Sequence, residues 1–168
     1  MRNPKHFLQL ALMLVSPLIG TVCTAQPEKT EDTADVFILP ELMRFRAPVT
    51  EEHGRNIGCR YLIKEGADLS NIKKIISESE IGASVNDNGR HSYFIIVDLN
   101  HGNKKYISYS FDVDRKDGRL IGKVSAADGK FNYREFQGDI STKIRDYLYG
   151  RNYFINNVEY SHQPCNLK

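Results

Sequence analysis

Residues able to do chemistry are scattered along this 168-residue chain. The run Asp112-Val113-Asp114-Arg115-Lys116-Asp117-Gly118 sets carboxylates ahead of a glycine, as a calcium loop does. Its spacing fails that chemistry. Asp117 falls one place late, no glutamate follows where a bidentate ligand belongs, and Arg115 and Lys116 repel a cation. The run is therefore read as a solvated hairpin turn. His91 and His101 bracket one predicted strand, whose length holds them about 25 Å apart, too far to share a metal. No GxSxG, HExxH or glycine-rich phosphate loop is present. The expectation is no metal, no cofactor and no catalytic constellation; an enzyme would have to work with scattered acids such as Asp98 and Asp112.

The cysteines carry a different chemistry. Cys23 leaves with the predicted signal peptide over 1–25, leaving Cys59 and Cys165. An even pair in an exported chain predicts a disulfide, and closing a loop of about a hundred residues allows roughly 4–5 kcal/mol of stabilisation.

The elements that must position any site centre on His91–Phe136, which reads as a four-stranded antiparallel meander. Tyr93, Ile95, Val97 and Leu99 alternate along the first strand, and Ile107, Tyr109, Phe111 and Val113 along the second. The third offers Leu120, Gly122, Val124 and Ala126, and the fourth Phe131 and Tyr133. A three-residue loop at His101-Gly102-Asn103 pairs Val97 with Ile107. A four-residue loop at 115–118 pairs Phe111 with Gly122. A two-residue Asp128-Gly129 turn pairs Val124 with Tyr133. Gly122 opposite Phe111 leaves room for the ring, or for a ligand close to the backbone.

That register leaves a second face carrying Phe94, Ile96, Asp98, Tyr106, Asp112, Lys123 and Arg134, with serines between them. Tyrosine and arginine on a flat, rigid surface suit protein binding, so these seven form the candidate binding face. The alternative is an ordinary wet face with Phe94 and Ile96 under the N-terminal segment.

Around the meander, Cys59–Lys64 predicts an additional strand ended by Gly66. Asp68 predicts the cap of a helix over 69–81 with Leu69, Ile72, Ile75 and Ile76 on one side, stopping at Gly82. Asp139 predicts the cap of a second helix over 140–149. Tyr153–Ile155 is a short apolar run, and Val158 and Tyr160 extend a last strand. The order is not alternating βαβ, which predicts an α+β fold with both helices on one face of an antiparallel sheet. Val36–Leu39 reads as an edge strand or a segment over the core, and Glu51–Asn56 as a loop. The expected domains are a signal peptide over 1–25, a polar lead over 26–56 and one globular domain over 57–168.

The signal reading rests on Arg2 and Lys5, an apolar core over Phe7–Ile19 too short to span a membrane, and small residues at Cys23 and Ala25. Removing Arg2 and Lys5 evens the 23 basic and 21 acidic residues, and a neutral chain lacks the footprint of a nucleic-acid binder. The functional expectation is a small periplasmic or secreted binding protein without catalysis. Its partner is another envelope protein, which it neutralises or escorts. The alternatives are a small envelope hydrolase, or a small-ligand carrier with an apolar void near Gly122.

Overall fold

The computed structural model describes residues 31–40, 46–64, 66–86, 91–112, 118–149, 151 and 153–155. The 1–25 segment, Cys165, Val158, Tyr160 and most of the 112–118 turn lie outside the described residues. The described residues form eight strands and three helices. The strands are β1 (Asp32–Ile38), β2 (Cys59–Ile63), β3 (Glu80–Val85), β4 (Ile95–His101), β5 (Lys104–Phe111), β6 (Arg119–Ala126), β7 (Phe131–Gln137) and β8 (Phe154–Ile155). The helices are α1 (Glu51–Ile57), α2 (Gly66–Ser79) and α3 (Ile140–Leu148).

The fold is α+β. One sheet runs β3-β7-β6-β5-β4-β1-β2-β8, and every neighbouring pair is antiparallel. The predicted meander is its middle, β4 to β7, and the predicted strand at Cys59 is β2. The sheet is wider than expected because β1 stands between β4 and β2. The stretch predicted as a lead thus supplies a strand inside the sheet. Its polar start conceals an alternation: Ala34, Val36 and Ile38 are buried on one side, with Thr33, Asp35 and Phe37 on the other.

The core lies between the sheet and α2 with α3. Leu69, Ile72, Ile76, Ile140, Ile144 and Leu148 meet Val36, Ile63, Ile95, Val97, Phe111, Leu120 and Phe136. The two predicted helices therefore share one face, called here the helix face. The third helix was not expected and lies on the opposite face, where Leu39, Val49 and Ile57 pack with Phe94.

Of the two predicted caps, Asp139 holds the N-cap position of α3 and Asp68 does not hold that of α2. Asp68 sits inside the first turn of α2, and its carboxylate instead accepts from Tyr147, Tyr153 and Arg151 Nη1, the last at 2.9 Å. Asp139 makes no capping hydrogen bond and pairs with Lys143 Nζ at 3.0 Å. After Ser79 the chain passes straight into β3, so Gly82 lies within an edge strand and is not a helix stop.

Of the three predicted registers, only the β5–β6 pairing holds, continuing through Tyr109↔Val124 and Ser110↔Lys123. A Cβ on Gly122 would lie 2.8 Å from Phe136 Cε2 and 3.0 Å from Phe111 Cδ1, so ring packing fills the space there. β4 and β5 pair Val97 with Tyr109, two residues from expectation: His101 pairs with Lys104 across a two-residue turn, which accounts for one residue, and a bulge after Leu99 accounts for the other. β6 and β7 pair Val124 with Asn132, one residue from expectation. The loop is three residues long: Ala126 N–H donates to Lys130 O and Gly129 N–H to Ala126 O. Gly129 supplies the left-handed residue, with φ 83°. A one-residue slip turns a strand over. Phe136 goes to the core, while Phe131 and Tyr133 go to the other face.

Candidate functional site

α1 forms because Thr50 caps it. Its side chain accepts from His53 N–H at 3.2 Å, and Glu51 and Glu52 follow in the first turn, where the helix dipole favours acids. These signals were legible in the sequence, although the segment's polarity reads as a loop.

α1 covers half of the predicted binding face. Ile96 is 1 % exposed and Asp98 6 %. A Cβ on Gly54 would meet Ile96 Cδ1 at 2.8 Å, so a glycine lets the helix lie this close to the sheet. Arg55 holds Asp98 with two parallel contacts, Nε to Oδ2 at 2.7 Å and Nη2 to Oδ1 at 2.9 Å. Ser108 Oγ donates to Asp98 Oδ1 at 2.5 Å and accepts from Arg55 Nη2 at 2.9 Å. Burial works to lower the Arg55 pKa, but its hydrogen bonds to Asp98 and the charges of Asp98 and Glu51 outweigh it, and the pKa rises. One turn earlier, Glu51 Oε1 stands 3.0 Å from Lys123 Nζ.

Lys123 marks the boundary of the cover. Beyond it lies an aromatic shelf that runs from exposed Phe131 and half-buried Tyr133 of β7 to half-buried His91 and buried Tyr93 in the segment ahead of β4. Lys123 Nζ sits 4.5 Å from the Phe131 ring centroid. Phe131 meets Tyr133 edge-on at 5.8 Å, Tyr133 lies 5.4 Å from His91, and His91 lies 6.3 Å from Tyr93. Phe131 is 57 % exposed, the most exposed of the large apolar side chains described. Burial pushes the Tyr93 phenol well above its ordinary pKa, and the hydrogen bond with Tyr133 and the charges of Glu51 and Asp112 add to the rise. Tyr93 therefore stays a neutral phenol.

The seven predicted face residues are not brought together on one open surface. Phe94, Ile96 and Asp98 lie beneath or beside α1. Lys123 sits at the edge of the cover. Asp112 ends the sheet near Tyr93, and its backbone oxygen accepts from Ser141 Oγ at 3.0 Å. Arg134 lies on the helix face, opposite Gly122, and pairs with Glu80 at 2.8 Å; the β6–β7 slip put it there. Tyr106 also turns to the helix face, where Lys73 Nζ of α2 stands 5.8 Å from its ring, because it occupies the bulge between Leu99 and Asn100. Phe131 and Tyr133 reach this face because the Ala127–Gly129 loop is one residue longer than the Asp128-Gly129 signal predicts.

The polar groups outside this face serve other ends. His101 Nδ1 lies 2.8 Å from Asp32 Oδ1, and Lys73 Nζ 3.3 Å from Asp32 Oδ2. The hydrogen bonds from His101 and Lys73 hold the Asp32 carboxyl below its ordinary pKa. Among the described residues, no three histidine, cysteine or acidic side chains come together as a metal set. No described helix is long and apolar enough to cross a membrane.

The fold and site together define an α+β protein with a fully antiparallel sheet and one partly covered face. Comparison with protein-family models, curated proteins and solved structures finds no match.

Proposed function

We propose that this chain is a small exported binding protein that holds another cell-envelope protein on the aromatic shelf, without catalysis. The observation that carries this reading is the shelf itself: Phe131 and Tyr133 of β7 in a row with His91 and Tyr93 of the segment ahead of β4, with Lys123 over the outermost ring. Rigid aromatic anchors beside a cation are the side chains that dominate protein interfaces. Export follows from the N-terminal basic and apolar segment.

A Cys59–Cys165 disulfide belongs to the same reading. Cys59 is buried at the start of β2, where a bond to Cys165 would tie the C-terminal segment to the sheet. β8 runs antiparallel to β2 with Ile155 opposite Arg60, so the chain leaves β8 in the direction of Cys59.

The test is capture from envelope extract with the oxidised protein, comparing wild type with Phe131→Ala, Tyr133→Ala and, as a control on the opposite face, Tyr106→Ala. The reading expects one dominant protein partner whose recovery falls about tenfold or more for the shelf variants and is unchanged for the control. Equal recovery by all four proteins, or no partner at any salt concentration, contradicts it.

A further inference from the structure

A sheet face that is covered permanently is ordinarily apolar. The face beneath and beside α1 is not. Beside Ile96 it offers Asp98, Ser108 and Ser110, and at its boundary Lys123 and Ser125. Ser110 is fully buried, yet its Oγ has no hydrogen-bond partner among the described residues, and neither has the Oγ of Ser125. Buried hydroxyls are nearly always paired, so this cover fits its bed imperfectly.

The cover is also lightly built. α1 has seven residues, too few to persist as a helix without packing, and only Gly54 and Ile57 are buried within it. Ionic contacts add to this attachment: Arg55 to Asp98 and Ser108, and Glu51 to Lys123 one turn away. A carboxylate and a guanidinium at i and i+4 thus lie on a sheet surface that presents a cation and a carboxylate to receive them.

We propose that α1 is a displaceable cover, and that the surface beneath it receives a helical segment of the partner protein bearing an acid and an arginine one turn apart. This rests on the binding reading above and extends the shelf inward. The incoming arginine takes Asp98, the acid takes Lys123, and polar side chains of the partner serve Ser110 and Ser125. Charge complementarity selects this occupant: α1 already displays the pattern that the surface accepts.

Two measurements test it. The first is native-state hydrogen exchange. Gly54 N–H donates to Thr50 O, and Gly58 N–H to Gly54 O, so both amides report α1 directly. A displaceable cover exchanges them through an opening populated about tenfold or more above the opening that frees Val97 in β4. The second uses a synthetic peptide spanning residues 48–58 as the probe, followed by amide shifts of Ser108, Ser110 and Lys123. With Arg55→Ala or, should that variant not fold, Glu51→Gln, the peptide binds in trans. Replacing the arginine of the peptide, or changing Asp98→Asn in the protein, weakens binding about tenfold or more. Exchange of Gly54 and Gly58 only together with Val97 overturns the proposal, as does peptide binding indifferent to Asp98. Dimerisation of Arg55→Ala would instead make a second copy of this chain the occupant and overturn the partner assignment. Because shelf variants are tested separately by capture, a rigid α1 beside a shelf that still captures its partner sinks the cover alone.

Discussion

Arg55 and Asp98 meet in a two-point ion pair beneath a helix, with Nε–Oδ2 at 2.7 Å and Nη2–Oδ1 at 2.9 Å, and Ser108 completes the carboxylate's shell. Removing the guanidinium leaves the buried Asp98 with the more distant Lys105 Nζ, at 4.0 Å, as its counter-charge. Arg55→Ala is expected to cost about 2–4 kcal/mol, below the full penalty for a buried pair because the Arg55 side chain is 21 % exposed. Urea unfolding measures this. A double-mutant cycle with Asp98→Asn should return a coupling of about 1–3 kcal/mol.

The two serines on β5 that face α1 should respond with opposite sign. Ser108→Ala removes a donor to a buried carboxylate and is expected to cost about 1–3 kcal/mol. Ser110→Ala removes a buried hydroxyl that has no partner among the described residues, and is expected to be neutral or to stabilise by up to about 1 kcal/mol. Thermal unfolding of the two variants side by side distinguishes them.

Gly122→Ala tests the packing of the helix face. Its Cβ would come within 2.8 and 2.9 Å of Phe136 and 3.0 Å of Phe111, and those two rings already meet edge-on at 5.1 Å. Neither ring is a loose side-chain end, so the substitution is expected to cost about 1–3 kcal/mol by overpacking. A ligand cavity at this position would instead accept the methyl group without loss.

Asp32 supplies a pH-dependent prediction. Its hydrogen bonds with His101 and Lys73 hold its pKa below the ordinary 3.8. A depressed folded-state pKa stabilises the fold above the unfolded value, and the contribution is lost as pH falls through the folded value. An NMR titration should find the Asp32 carboxyl changing below pH 3.8, and His101→Ala should bring it back towards the ordinary value.

Much of the architecture was legible in the chain. Alternation at Tyr93–Leu99 and Ile107–Phe111 marked the central strands, and the helical spacing of Leu69, Ile72 and Ile76 marked the helix that covers them. What escaped notice did so for local physical reasons. β1 opens with Asp32 and Thr33, so its alternation sat inside a stretch that reads as tether. α1 is short and polar, and only Thr50 with the acids after it announced a helix. The site suffered most from a single residue: the loop at Ala127–Gly129 is a residue longer than the Asp128-Gly129 signal implies. That difference moves Arg134 off the face and brings Phe131 and Tyr133 onto it. Propensity locates a turn more readily than it counts its residues, and in a strand the count decides the face.

The measurement that bears most directly on the binding reading is envelope capture by wild-type and Phe131→Ala protein. Phe131 is 57 % exposed, so its truncation leaves the core intact. The account predicts one dominant protein partner whose recovery falls about tenfold or more with the variant. Undiminished capture by Phe131→Ala, with Tyr133→Ala behaving alike, would contradict the shelf as the binding site.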